Sequence, residues 1–215
     1  MGARISTGQN NKQDYKTPIE FMEAVVHHFG PIAFDLAARS YNTQSPHYFA
    51  PVTGPEGPLP LDPLAYGMDA FDHRWHELSK PGTWENYPPE RKGLLWLNCE
   101  FNDIPPWATR CRNEANMGAN ILSLTPAAMG STWFDELIAD FADVYLLKGR
   151  ISFIPGEPYN KDCMLSHFYQ TPADRKSTLG PDHEVSWMGR DWRWMYVWDW
   201  RKDRILRRWG YPLET

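Results

Sequence analysis

Residues 96–101 read Trp-Leu-Asn-Cys-Glu-Phe, and they continue an apolar run that begins at Gly93. This run predicts a buried strand over Gly93–Asn98, with Asn98 at its carboxyl end. In open parallel sheets, ligands bind outside the carboxyl ends of the strands. The four residues from Asn98 to Phe101 carry an amide, a thiol, a carboxylate and an aromatic ring. They are therefore candidate site residues.

Helices and strands alternate on both sides of this stretch. Thr17 is predicted to be the N-cap of a first helix. The predicted helices cover Pro18–Phe29, about Pro106 to Met117, and Ser131 to near Ala142. The other predicted strands are Ile32–Leu36, Asn120–Leu124, Val144–Leu147 and Arg150–Ile154. Such alternation requires crossover connections and a largely parallel sheet. The last two strands are too close for a helical crossover, so they should form an antiparallel hairpin.

The bulk composition favours a single α/β domain. The chain has 215 residues, of which 42% are hydrophobic, enough to bury a sizeable core. Residues 1–13 are polar and are expected to be flexible. No run approaches about 18 apolar residues, and the first residues lack the apolar core of a signal peptide, so we expect a soluble cytoplasmic protein without a membrane partner. The odd number of cysteines, three at wide spacing, predicts reduced thiols and no structural metal.

Charge is unevenly distributed along the chain. The net charge of -5 argues against a protein that coats nucleic acid non-specifically, because such binding depends on Lys and Arg. Residues 190–208 nevertheless hold seven basic and three acidic side chains. Within them, Trp192–Trp200 alternates aromatic with other residues, which predicts a strand with one aromatic face. That face either packs in the core or stacks on unpaired bases beside Arg190, Arg193 and Arg201.

Residues 51–66 contain too many prolines for a helix or a central strand. They predict an extended surface loop. The loop is either a simple excursion of the chain or a lid over a site.

Six short motifs follow one another between residues 15 and 153. They are Tyr15-Lys-Thr17-Pro18, Phe34-Asp35-Leu-Ala37-Ala38, Asp69-Ala-Phe71 with Trp75, Trp96-Leu-Asn98, Leu124-Thr-Pro126 with Thr132-Trp133-Phe134, and Lys148-Gly149-Arg150-Ile-Ser-Phe153. In this order they resemble the phage-type DNA N6-adenine methyltransferase family (Dam-like). The resemblance implies a Rossmann-like, S-adenosylmethionine-dependent methyltransferase fold with a mostly parallel sheet and an antiparallel edge strand. It also implies DNA as partner and, for a phage-encoded protein, the host cytoplasm as location.

The resemblance implies a donor site built from the first three motifs. Asp35, at the end of the first strand, would hold the donor's ammonium group or a bound water, and the small Ala37 would let the ligand approach the backbone. Asp69 would accept a hydrogen bond from the donor's adenine amino group, and Phe71 would face its ring. The donor would be covered by Tyr15, Thr17 and Pro18. The alternative for Asp35 is an exposed carboxylate at a strand end, and the alternative for Asp69 is a residue that only forms a turn.

The resemblance also implies a target site at Asn98. Its side-chain oxygen and the main-chain carbonyl of Cys99 would accept hydrogen bonds from the amino group of a base flipped out of the duplex. Two acceptors localise the nitrogen lone pair and aim it at the methyl sulfonium, so no proton need be removed first. Phe101 would stack on the flipped base.

This site departs from the family pattern, in which two prolines separate the Asn from an aromatic residue. Here Cys99 and Glu100 replace the prolines. Glu100 is either a solvated side chain, a contact of the target base, or a desolvated acid with a raised pKa. Cys99 also resembles the nucleophile of pyrimidine C5 methyltransferases. The alternatives to adenine methylation are therefore C5 modification through Cys99, or an inactive protein that binds the donor or nucleic acid.

The predicted organisation is a methyltransferase-like domain over residues 14–160, with an aromatic and basic extension over 161–215 packed on the same domain. The extension lies outside the resemblance. We expect it to contribute to target recognition. The candidate contacts of nucleic acid are Arg150, Arg190, Arg193 and Arg201.

Overall fold

The structure is a computed structural model that describes residues 16–54, 57–85, 87–170 and 192–212. Tyr15, Arg190 and the segment 1–13 lie outside the described residues.

A seven-stranded sheet forms the centre of the protein. The strands of the described chain are β1 (Ile32–Asp35), β2 (Phe49–Ala50), β3 (Thr53–Gly54), β4 (Gly57–Pro58), β5 (Gly67–Met68), β6 (Leu94–Leu97), β7 (Asn120–Pro126), β8 (Ala142–Leu147), β9 (Cys163–Tyr169), β10 (Trp192–Asp199) and β11 (Arg204–Pro212). The order in the central sheet is β1-β6-β7-β9-β8-β10-β11. Five of these strands run in one direction, whereas β9 and β11 run in the opposite one. The prediction of a mixed α/β fold with a large, mostly parallel sheet is confirmed.

Helices cover both faces of this sheet. They are α1 (Ile19–Phe29), α2 (Trp75–Leu78), α3 (Ile104–Asn116) and α4 (Thr132–Phe134), which continues into a π-helical turn over Asp135–Ala139. Successive side chains of a strand point to opposite faces. In β6, Trp96 accordingly packs in one cluster with Phe21 and Val25 of α1. Leu95 and Leu97 pack in the other cluster with α3 and α4.

The predicted hairpin of Val144–Leu147 with Arg150–Ile154 is wrong. Residues 150–154 form no strand, and Ile154 makes only an isolated bridge to Glu157. Among these five residues only Ile151 is buried, whereas β9 buries five of its seven residues. The more apolar segment therefore takes the antiparallel position beside β8, between it and β7. The antiparallel strand at the sheet edge is β11.

The predicted N-cap is also wrong. Pro18, not Thr17, occupies the cap position of α1, and its side chain makes no capping hydrogen bond. The Pro18 carbonyl accepts hydrogen bonds from the amides of Phe21 and Met22 instead. The Thr17 hydroxyl is thereby left for a different partner.

The aromatic strand is confirmed as β10, which ends one residue before Trp200. Two of its aromatic side chains, those of Trp198 and Tyr196, pack against other parts of the protein. Trp198 is fully buried beside Phe21 and Phe29 of α1, and Tyr196 stacks on Tyr145 of β8 with ring centroids 4.5 Å apart. These contacts favour the packing role over base stacking. None of the helices in the described ranges is long and apolar enough to cross a membrane.

Candidate active site

A cavity of about 500 Å³ lies where β1 and β6 end. The two strands are parallel neighbours, so their carboxyl ends meet at one edge of the sheet. Eight of the predicted site residues line this cavity. They are Thr17, Asp35, Ala37, Asp69, Phe71, Asn98, Cys99 and Glu100. These eight residues come from four separate stretches of the chain.

Asp35 is the last residue of β1 and is only 2% exposed. Its carboxylate accepts hydrogen bonds from the amides of Gln44, at 2.9 Å, and Ala37, at 3.3 Å. Burial raises the pKa of Asp35 to about 7, because the cost of removing the charge from water exceeds the gain from these two hydrogen bonds. A cation that enters the cavity would stabilise the ionised form.

Asp69 and Phe71 lie in a short 3₁₀ turn that follows β5. The Asp69 carboxylate accepts a hydrogen bond from the Phe71 amide at 3.0 Å and so holds the turn. Asp69 has a φ of 44°, a left-handed conformation that usually favours glycine. The ring of Phe71 remains 37% exposed beside Trp107 of α3. The cavity therefore has an aromatic wall at this end.

Asn98 follows β6, and its side chain contacts Thr17, which lies just before α1. The Asn98 Nδ2 atom donates a hydrogen bond to the Thr17 Oγ1 atom at 3.2 Å. Thr17 is only 2% exposed. The two residues are 81 positions apart in the sequence, so this contact depends on the packing of α1 against the sheet.

Cys99 is 5% exposed, and burial raises the pKa of its thiol to about 12. A thiol with this pKa is almost fully protonated at neutral pH. It is therefore a poor nucleophile, because the thiolate is the nucleophilic form. This environment disfavours the C5 chemistry that the sequence left open. Glu100, by contrast, is exposed and lines the cavity, where its carboxylate can reach a ligand.

Two other predicted residues do not line the cavity. Pro18 lines a separate groove between α1 and the 3₁₀ turn over Trp200–Lys202. Phe101 packs against Phe153 and Tyr159, with ring centroids 6.2 and 5.8 Å away. The structure therefore places Phe101 in an aromatic cluster beside the cavity.

The predicted nucleic-acid contacts are in different environments. Arg150 and Arg201 are exposed neighbours, since the Arg201 guanidinium donates a hydrogen bond to the Arg150 carbonyl at 3.0 Å. Arg193 is only 6% exposed. Its guanidinium lies over the ring of Tyr169, and its Nε atom donates to the Asp140 carbonyl. Burial against β9 thus argues against the prediction that Arg193 contacts phosphate.

Sequence reasoning missed several residues of the cavity wall. Trp107 lies nine positions after Asn98, in the first turns of α3. Its closeness in sequence to Asn98 is the signal that could have identified it as a site residue. Arg39 lines the cavity and donates hydrogen bonds to the carbonyls of Pro51 and Pro60. It thereby fastens the proline-rich loop beside the cavity. The loop residues that line it are Pro51, Val52 and Leu59.

The charge of the cavity is strongly acidic. Its lining contains four carboxyl groups, those of Asp35, Asp69, Glu100 and Asp103, and one guanidinium, that of Arg39. Opposite charges attract more strongly in a partly desolvated site than in water. The lining therefore favours a ligand that carries positive charge and has an aromatic or apolar part.

The fold is that of an α/β protein with a mostly parallel central sheet, and the cavity lies at the carboxyl ends of its parallel strands β1 and β6. No protein-family model matches the chain, and no curated protein matches it either.

Proposed function

We propose that this protein is a methyltransferase that uses S-adenosylmethionine to methylate the N6 atom of adenine in DNA. One observation carries the proposal: Asp35, Phe71 and Asn98, which the sequence resemblance assigns to donor and target, line a single cavity. They come from three different segments, and parallel-strand geometry brings two of them together.

The cavity suits the proposed donor in its charge and in its aromatic lining. S-adenosylmethionine supplies a methyl group from a sulfonium and has an ammonium, a carboxylate and an adenine ring. Its net charge is positive, which complements four carboxyl groups and one guanidinium. Asp35 would hold the ammonium or a bound water. The rings of Phe71 and Trp107 offer an apolar surface to the adenine.

The target amino group would be held by two acceptors, the Asn98 Oδ1 atom and the Cys99 carbonyl oxygen. Their hydrogen bonds would localise the nitrogen lone pair and orient it for in-line attack. The new bond forms between nitrogen and the methyl carbon as the carbon–sulfur bond breaks, and the nitrogen then releases one proton. Glu100, one of two exposed carboxylates in the lining together with Asp103, can accept that proton or contact the base.

The DNA backbone would follow an exposed basic row at the same edge of the sheet. Because β8 and β10 run parallel to β1 and β6, their carboxyl ends lie at the edge that holds the cavity. The residues after these two strands that form the basic row are Lys148, Arg150, Arg201, Lys202 and Arg204, all of them exposed. Phosphate neutralisation by such side chains supplies sequence-independent affinity.

A transfer experiment tests this function. The full chain is incubated with DNA and a donor labelled in the methyl group, and the DNA is digested to nucleosides. Label in N6-methyladenine supports the proposal, and the Asn98→Ala variant should lose this label while retaining donor affinity. Label on a pyrimidine ring carbon would indicate chemistry at Cys99. Donor binding without transfer would indicate an inactive, binding protein.

A further inference from the structure

The Thr17 hydroxyl has a role that the helix does not require. A Thr followed by Pro at the start of a helix usually caps it, but in α1 the cap position is occupied by Pro18 and not by Thr17. Thr17 is nevertheless 2% exposed, so its hydroxyl is withdrawn from water. A buried hydroxyl is costly unless it has a partner. The partner here is the side-chain amide of Asn98.

This contact distinguishes the two ends of the Asn98 amide. The Nδ2 atom donates to Thr17 Oγ1 at 3.2 Å, and the Oδ1 atom accepts no hydrogen bond from any residue in the described ranges. A planar amide that is held by its nitrogen leaves its oxygen free to accept. Both residues line the cavity, so the free acceptor belongs to the site.

The positions of both residues are fixed by the core. Phe21 and Val25 of α1 are fully buried in the cluster that contains Trp96 of β6. Thr17 lies just before this helix, and Asn98 just after this strand. The packing of helix on strand therefore sets the distance between hydroxyl and amide.

We propose that Thr17 is a positioning residue, which orients the Asn98 amide so that its oxygen, and not its nitrogen, meets the amino group of the target base. This inference rests on the proposed function. Without the hydroxyl, the side-chain amide of Asn98 can turn by half a rotation and point its NH2 group at the amino group of the base. Two hydrogen-bond donors then face each other, and the hydrogen-bond acceptor that stabilises the transition state is lost.

This role differs from donor binding, which the sequence resemblance suggested for Thr17. A donor-binding residue would change the affinity for S-adenosylmethionine when it is replaced. A residue that orients Asn98 would instead change the rate of transfer from the fully bound complex. The two roles therefore separate in kinetics.

Three variants test the inference. Thr17→Val removes the hydroxyl but keeps the branched shape, and because the hydroxyl caps no helix, α1 should remain intact. We expect kcat to fall about 10- to 100-fold with the donor Kd unchanged within about twofold. Thr17→Ser retains the hydroxyl and should recover most of the rate. Thr17→Ala, which lacks both, should behave as Thr17→Val does.

A second readout is independent of activity. The side-chain amide protons of Asn98 are assigned by NMR through their absence in Asn98→Ala. In the donor-free protein they should shift in Thr17→Val and return in Thr17→Ser. Unshifted signals, an unchanged kcat, or a weakened donor Kd that accounts for the loss would overturn the positioning role. An inactive wild-type protein would overturn the proposed function, a result distinct from each of these.

Discussion

The ring of Phe71 lies 4.6 Å from that of Trp107, at an angle of 58°. The two residues come from a 3₁₀ turn and from α3, and both line the cavity. Two tilted rings at this distance pack favourably and form a continuous apolar surface. This surface is the part of the cavity that suits a planar, uncharged ring.

Replacement of Trp107 should weaken donor binding. We expect Trp107→Ala to raise the donor Kd about fivefold to tenfold, because one aromatic contact contributes about 1 kcal/mol, while Trp107→Phe should stay near the wild-type value. Isothermal titration calorimetry measures both. Trp209→Ala is the matched control, since Trp209 is exposed on β11 and does not line the cavity. Equal affinity of Trp107→Ala and wild type would contradict an aromatic donor contact.

Replacement of Cys99 should leave the transfer reaction intact. Burial raises the pKa of this thiol to about 12, so it is protonated and unsuited to attack a base. We expect Cys99→Ala to retain kcat within about threefold, as its only catalytic group is the main-chain carbonyl. Cys111→Ala, which also removes a buried thiol, controls for the loss of packing. Complete loss of transfer in Cys99→Ala alone would support the nucleophile mechanism.

Donor affinity should rise with pH through the pKa of Asp35. Burial raises this pKa to about 7, and a cationic ligand favours the ionised carboxylate. Affinity should therefore increase about tenfold from about pH 6 to about pH 8 and level off above that. Asp35→Asn should bind weakly with little pH dependence in this range. An affinity that falls as pH rises would contradict a contact between Asp35 and a cation.

The same raised pKa has the opposite effect on the donor-free protein. The folded state binds a proton more tightly at Asp35 than the unfolded state does, because its pKa lies above the ordinary 3.8. The contribution of Asp35 to the free energy of unfolding should decrease as pH rises from about 4 to about 7 and then stay constant. Denaturant unfolding of wild type and Asp35→Asn at several pH values isolates this contribution. A wild-type curve parallel to that of Asp35→Asn would show that the pKa is not raised.

The basic row should set the salt dependence of DNA binding. Lys202 and Arg204 are exposed at the cavity edge of the sheet. Lys202→Ala and Arg204→Ala should each weaken binding to all sequences and reduce the slope of log K against log salt by about 1. Arg91→Ala is the matched control, because Arg91 is exposed before β6, at the opposite edge. Fluorescence anisotropy across a salt series measures the slopes. Identical slopes in all three variants would place the DNA elsewhere.

Local pattern predicts part of the site, and the family resemblance implied Asp69 and Phe71 in addition. Asp35 and Asn98 each end an apolar run, and a parallel sheet places such ends together. Trp107 and Arg39 follow from contacts between distant segments. The Arg39 guanidinium, for example, reaches the carbonyls of Pro51 and Pro60 across the proline-rich loop. The pattern of hydrophobic and polar residues within one segment does not predict such a contact.

The wrong predictions have the same origin. The segment Arg150–Ile154 has the residue types of a strand, but the more apolar β9 competes for the position beside β8. Thr17 has the side chain of an N-cap, but Asn98 is within hydrogen-bonding distance. In both cases a tertiary contact decided between two local possibilities.

A crystal structure of the protein soaked with S-adenosylmethionine shows whether the cavity binds the methyl donor. We expect donor density in the cavity, with its ammonium or a bridging water at Asp35, its adenine at Phe71 and Trp107, and its methyl group directed toward Asn98. This expectation follows from the lining of the cavity, which contains both acidic and aromatic side chains. An empty cavity in a crystal that has taken up donor elsewhere, or a donor bound with its adenine at Asp35, would rule out this cavity as the proposed donor site.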